Sequence, residues 1–188
     1  MSKILCFADE NGLETRGRIF IVAVLAVQLE SQTLEELCEE FEQKSGKGRQ
    51  KWRKTNHIQR MEYIRFVFQS AYLEGKLFYS VYRNWQDYDT AIVQTLAKTL
   101  IQSKTLQSKA AIFIDALSKS KRHNYGTRLR RLGISVQKVQ GIANEESSAP
   151  MRLVDALAGF VRDAIDGESD EITKIFERAK AKKQIIEL

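Results

Sequence analysis

The sequence is short of the residues that mark special classes of protein. One proline in 188 residues, with 43% hydrophobic and 29% charged residues, excludes a disordered or fibrous chain. Two cysteines, Cys6 and Cys38, cannot build a disulfide scaffold or a zinc cluster. Both fall in apolar patterns, which fits buried free thiols in a reducing compartment and so a cytoplasmic protein. Two histidines, His57 and His123, argue against a zinc–histidine enzyme. The longest apolar run, Ile19 to Val27, is well short of the roughly 20 residues a membrane helix needs, so no span is expected. The N-terminus meets the acidic pair Asp9-Glu10 almost at once, unlike a signal peptide. At this length one domain over residues 1–188 is expected, with a core large enough to need no staples.

The charge is plentiful and uneven. Thirty Lys and Arg against 24 Asp and Glu leave +6. Lys44, Lys47, Arg49, Lys51, Arg53 and Lys54 form one basic block without an acid. Lys119, Lys121, Arg122, Arg128, Arg130 and Arg131 form a second. Two such blocks suit a polyanion such as nucleic acid, and the same charges read equally well as two solvated faces. Trp52 lies inside the first block and Tyr125 inside the second. A ring among cations can stack a base, or it can belong to the core.

Lys3 to Ala8 reads as a strand, Asn11-Gly12 as a turn, and Ile19 to Gln28 as a second strand, apolar on both faces and therefore central. Thr33 with Glu36 forms a capping box for a helix ending near Lys44. Gly46 and Gly48 open the basic loop. Asn56 to Leu73 is a second helix with Met61, Ile64, Phe68 and Ala71 on one face. Strands follow at Leu77 to Arg83, Ala110 to Asp115 and Ile134 to Val139, separated by helices over Asp87–Ser103 and Ser120–Leu132. Pro150 suits the first turn of a helix that Gly167 stops, and Ser169 starts a last charged helix. Such an order builds a mixed five-stranded sheet covered by helices, its early strands antiparallel and its later ones parallel.

Two strands end in an acid. Leu5, Phe7 and Asp9 share one face of the first, and Ala111, Phe113 and Asp115 share one face of the fourth. As parallel neighbours these strands would set Asp9 and Asp115 side by side, about 4.8 Å apart. Carboxylates that close take up a proton or hold a cation between them. Asp155 lies at the edge of the buried stripe Met151, Val154, Ala158, Val161 and Ile165. A bare carboxylate there is costly unless paired or metal-bound. Gly159, one turn on, leaves room beside it, and Glu10 could reach back as a fourth ligand. The plainer reading gives Asp9 to a turn, Asp115 to a loop cap, and Asp155 to an ion pair with Arg152 or Arg162.

The segments Phe7-Ala8-Asp9-Glu10-Asn11-Gly12, Ile112-Phe113-Ile114-Asp115 and Leu153-Val154-Asp155-Ala156-Leu157-Ala158-Gly159 together resemble the domain of unknown function 3800 family. The resemblance spans about Ile4 to Gly167. It implies an α/β ribonuclease-H-like fold with a helical insertion over about 33–73. It maps Asp9, Asp115 and Asp155 onto acidic residues expected to hold Mg²⁺ or Mn²⁺, with Asp9 bridging two ions in a nuclease that hydrolyses phosphodiester bonds. Glu10 joins them as a catalytic candidate. Lys51, Trp52 and Arg53 of the basic loop, with Arg122 and Arg128, become candidates for holding nucleic acid. The sequence departs from the pattern at Asn11, where the family carries Ser. It also has no Glu between Gln86 and Lys104, where ribonuclease H proper carries one, and Glu10 could substitute. The alternative is a nucleic-acid-binding or regulatory domain of the same fold without catalysis. A phosphatase of the haloacid dehalogenase type ranks last, since Asn11 stands where its second Asp would be.

Overall fold

The computed structural model describes residues 3–28, 31–103, 108–142 and 148–188. Strands β1 (Lys3–Asn11) and β2 (Ile19–Val27) form an antiparallel hairpin. Gly12 makes the exit from β1 possible. Its φ is 106°, and a Cβ there would sit 2.3 Å from the Ile19 carbonyl oxygen, so only glycine fits. Helices α1 (Ser31–Lys44) and α2 (His57–Gln69) follow, then β3 (Leu77–Arg83), α3 (Tyr88–Gln102), β4 (Lys109–Asp115), α4 (Lys119–Arg131), β5 (Val136–Ile142), α5 (Ala149–Asp166), α6 (Asp170–Ala181) and β6 (Ile186–Glu187).

The sheet runs β5-β4-β1-β2-β3-β6. β1 and β3 each pair antiparallel with β2, while β4 pairs parallel with β1 and β5 parallel with β4. β2 is buried along its whole length, as an all-apolar strand in the middle of a covered sheet must be. One face, carrying Leu5, Phe7, Ile21, Ala23 and Ala111, packs against α1, α2, α5 and α6. The other, carrying Cys6, Ala8, Val22, Val24 and Ile112, packs against α3 and α4. The result is a three-layer α/β/α arrangement.

Most helix starts follow from short polar side chains that satisfy orphan amides. Asn56 accepts from Gln59 N–H at 3.0 Å, Asp87 from Thr90 N–H at 3.0 Å, and Ser169 from Ile172 N–H at 3.2 Å. Three expectations need correction. The capping box at Thr33 is not used: α1 already runs from Ser31, and Gln32 donates to Glu36 instead. Ala71 lies beyond α2 and is exposed, because that helix stops at Gln69. The sheet has a sixth strand, the two-residue β6, whose Phe78–Ile186 pairing with β3 no periodicity in so short a stretch could announce. Among the described residues no helix is long and apolar enough to cross a membrane.

Candidate functional site

The β1–β4 register places the first two acids. Phe7 stands opposite Phe113 and Ala8 opposite Ile114, so Asp9 and Asp115 come level at the carboxyl ends of adjacent parallel strands. The Phe7 and Phe113 rings, two residues before them on the same face, stack 4.9 Å apart. α5 packs across this face of β1 and brings Asp155 over the strand ends.

These acids feel one another's charge. Asp9 is 6% exposed, and burial pushes its carboxyl well above the usual range. Glu10, Asp155 and Asp115 push it further in the same direction, against one backbone hydrogen bond from Glu10 N–H at 2.8 Å. Asp115 is raised by burial, with Lys51 pulling it down and Asp155 raising it. Glu10 faces away from Asp9, since neighbours on a strand point to opposite sides, yet it lines the same cleft at the strand end. Burial and then Asp115 push it up to about 7. Its Oε2 is buried without a hydrogen-bond partner.

Asp155 does not use the ion pairs expected of a surface helix. Arg152 forks onto Glu42, with Nε and Nη2 donating to its two oxygens at 2.6 and 2.8 Å. Arg162 Nε donates to Asp166. Asp155 Oδ2 instead accepts the backbone N–H of Trp52 at 3.0 Å. Trp52 opens a short 3-10 turn, Trp52–Lys54, in the basic loop. Its indole is 1% exposed and lies on Gly159, where a Cβ would come within 2.3 Å of the ring. Trp52 Nε1 donates to Asp163 at 2.6 Å, and Arg60 Nε donates to the Trp52 carbonyl at 3.0 Å. The gap beside Gly159 expected from the sequence exists, and Trp52 fills it.

This corrects the candidate role of Trp52 as a base-stacking ring. A buried indole cannot meet a base; it anchors the loop. Tyr125 is likewise 1% exposed, and its hydroxyl donates to Asp89 at 2.7 Å. Lys51, Arg53 and Lys54 remain at the cleft, which has a volume of about 340 Å³ and is also lined by Glu10, Asn11, Gly12, Glu14 and Asp155. Arg122 and Arg128 are half-buried on the α4 side. Arg122 Nε donates to the Leu117 carbonyl at 3.0 Å, and Arg128 Nη2 to Thr90 at 2.8 Å. They bind their own chain and stand on the opposite layer from α5. Sequence reasoning missed Arg60 and Asp163 as partners of Trp52. The eight-residue step from Asp155 to Asp163, about two turns along one side of α5, was the available signal.

The donor set is all carboxylate oxygen, the chemistry of a hard divalent ion such as Mg²⁺ or Mn²⁺ rather than a soft one. A buried Asp9 among three other acids and an orphaned Glu10 oxygen are the signs of a place that lacks positive charge. Among the described residues, no group of three or more His, Cys, Asp or Glu side chains is disposed to hold a metal ion as it stands. Glu10 and Asp155 line the cleft, while Asp9 and Asp115 lie at the strand ends beside it.

The first of two solved structures supports a ribonuclease-H-like fold. The chain is similar to one in the structure of the PCNA–RNase HII complex from Archaeoglobus fulgidus, at 14% identity and a TM-score of 0.53, over 98% of this chain and 91% of that one. It also aligns with ribonuclease H2 from Pyrococcus horikoshii OT3 at 15% identity and a TM-score of 0.49, over 95% and 88% of the two chains. No family model matches, so the family suggested by the motifs is not assigned, and no curated protein matches in sequence.

Proposed function

We propose that the protein is a divalent-metal-dependent nuclease that hydrolyses phosphodiester bonds of nucleic acid. One observation carries the reading: Asp9 and Asp115 come level on adjacent parallel strands, near enough to Asp155 to feel its charge, and Asp155 lines a cleft edged by Lys51, Arg53 and Lys54. Asp9, Asp115 and Asp155 would hold Mg²⁺ or Mn²⁺, with Glu10 as the fourth carboxylate. A metal bound there would supply Lewis acidity toward a phosphoryl oxygen and a more acidic water. The remaining work falls to the chain. Lys51, Arg53 and Lys54 draw the phosphate backbone over the carboxylates. Trp52 holds Asp155 through its amide and fixes the loop that bears these cations. Exclusion of water around Asp9 strengthens every charge interaction in the cleft.

The test is cleavage of labelled DNA, RNA and hybrid duplexes in Mn²⁺ by the protein and by Asp9→Asn. The variant should keep its circular dichroism spectrum and lose more than the roughly 10–100-fold that changes around a metal site typically cost. Full activity in Asp9→Asn would refute the proposal. The open arrangement of the acids favours a second reading, a nucleic-acid-binding domain of the same fold without catalysis. Tight binding with no cleavage of any of the three substrates would select it.

A further inference from the structure

A second cavity lies beyond the turn that follows β1. It has a volume of about 340 Å³ and is lined by Thr15, Arg18, Ile19, Arg83, Arg162 and Asp166. Its three arginines are brought together by the fold. Ile19 pairs with Arg83 in the β2–β3 ladder. Trp85 N–H donates to the Gly17 carbonyl at 3.0 Å and Asn84 N–H to the Arg18 carbonyl at 3.4 Å, so the start of β2 is tied to the end of β3. Arg162 enters from the C-terminal half of α5.

The cavity carries more positive than negative charge. Among the described residues Asp166 is its one lining carboxylate, and it takes Arg162 Nε. Arg162 Nη1 is buried without a hydrogen-bond acceptor, Glu14 being 3.8 Å away. Arg18 and Arg83 make no ion pair and no side-chain hydrogen bond among the described residues. Arg18 and Arg83 are exposed, and an excess of cationic charge around a concave space draws anions. A phosphate group suits it, and the planar guanidinium fork matches its oxygens two at a time.

We propose that Arg18, Arg83 and Arg162 form a phosphate-binding pocket beside the carboxylate cleft. The two spaces are divided by the Gly12–Thr15 turn. Gly12 and Glu14 line the cleft, Thr15 lines the pocket, and a Cβ on Gly12 would lie 3.3 Å from Arg162 Nη1. A strand drawn in by Lys51, Arg53 and Lys54 would cross the acids and set a further backbone phosphate on the arginines. For this polymeric ligand the inference rests on the nucleic-acid reading above. The shared chemistry is a phosphate, free or within a strand.

The experiment uses the full chain in EDTA, so that no cleavage intervenes. Arg18→Gln with Arg83→Gln is compared with the wild type and with Lys98→Gln, which removes an exposed charge from α3 on the other layer. Anisotropy of labelled single-stranded DNA and RNA is read across salt concentrations, and thermal stability is read with added inorganic phosphate. For a strand phosphate, the slope of log K against log salt becomes shallower by about 0.7 per arginine removed, and stabilisation by phosphate is lost. Loss of the phosphate effect with an unchanged strand slope assigns the pocket to free phosphate. A double variant that matches Lys98→Gln in both readouts overturns the pocket. Asp9→Asn keeps stabilisation by phosphate, so failure of the cleavage reading and failure of the pocket are separate results.

Discussion

Gly159 decides how closely the basic loop approaches α5. Its backbone is ordinary helix, so its value lies in the missing side chain that the Trp52 indole replaces. Gly159→Ala forces the ring off its seat. The expected cost of such overpacking is about 1–3 kcal/mol, set against the roughly 1 kcal/mol that alanine gains in helix propensity. A urea midpoint lower than wild type checks it, and an unchanged or higher midpoint would show that the loop yields freely. Asp163, which accepts the Trp52 indole N–H, is raised from 3.8 to about 6 by burial first and by Glu168 beside it. The folded protein therefore keeps a proton across that window that the unfolded chain has lost. Stability falls as pH rises from about 4 to 6, and the loss is complete above. Asp163→Asn keeps an acceptor for Trp52 and removes the titration, so its stability should fall less steeply across the same interval. Parallel curves for the two proteins would contradict this.

Between elements, the strongest tie is the buried Glu42–Arg152 pair that joins α1 to α5, with Lys47 Nζ 3.6 Å from Glu42 and over the Tyr63 ring at 4.9 Å. Burial lowers the Lys47 pKa, with Glu42 opposing. Glu42→Gln takes the charge that Glu42 supplies away from two buried cations, and the expected loss is about 3–5 kcal/mol. Removing the exposed Glu40 partner of Lys44 in the same helix should cost no more than about 1 kcal/mol. Urea denaturation of the two variants makes the comparison, and equal losses would contradict it. The elements themselves were largely legible. The all-apolar β2, the acid-terminated β4 and α5 between Pro150 and Gly167 are where pattern and punctuation put them, while β1 runs on past the expected Ala8 to Asn11 because Asp9, Glu10 and Asn11 still pair with β2. β6 was hidden because two residues have no period. The burial of Trp52 was hidden because it depends on Gly159, remote in sequence, and composition around a ring says nothing of what it packs against. That Asp9 shares a face with Leu5 and Phe7, and Asp115 one with Ala111 and Phe113, was legible because strand alternation is a local rule, whereas the pairing of β1 with β4 joins segments about a hundred residues apart and comes from the sheet. The partner of Asp155 was not legible, because a backbone amide leaves no mark in the sequence.

At the scale of the whole molecule, the two basic blocks part company. Lys51, Arg53 and Lys54 edge the cleft that Glu10 and Asp155 line, with Arg53 donating to Glu14 at 3.3 Å, whereas Arg122 and Arg128 lie on the opposite layer and donate to Leu117 and Thr90. Neutralising Lys51 and Lys54 together should weaken nucleic-acid binding and flatten its salt dependence more than neutralising Arg122 and Arg128, as read by anisotropy titration across salt. The reverse ranking would move the binding face to α4. The fold resembles that of a ribonuclease HII, and the central proposal concerns charge: the carboxylates of β1, β4 and α5 would hold a cation among them. Anomalous diffraction from crystals soaked in Mn²⁺ tests this most directly. The account predicts a peak bounded by Asp9, Asp115 and Asp155, absent from Asp9→Asn crystals; no peak there at saturating Mn²⁺, or one elsewhere on the protein alone, would contradict it.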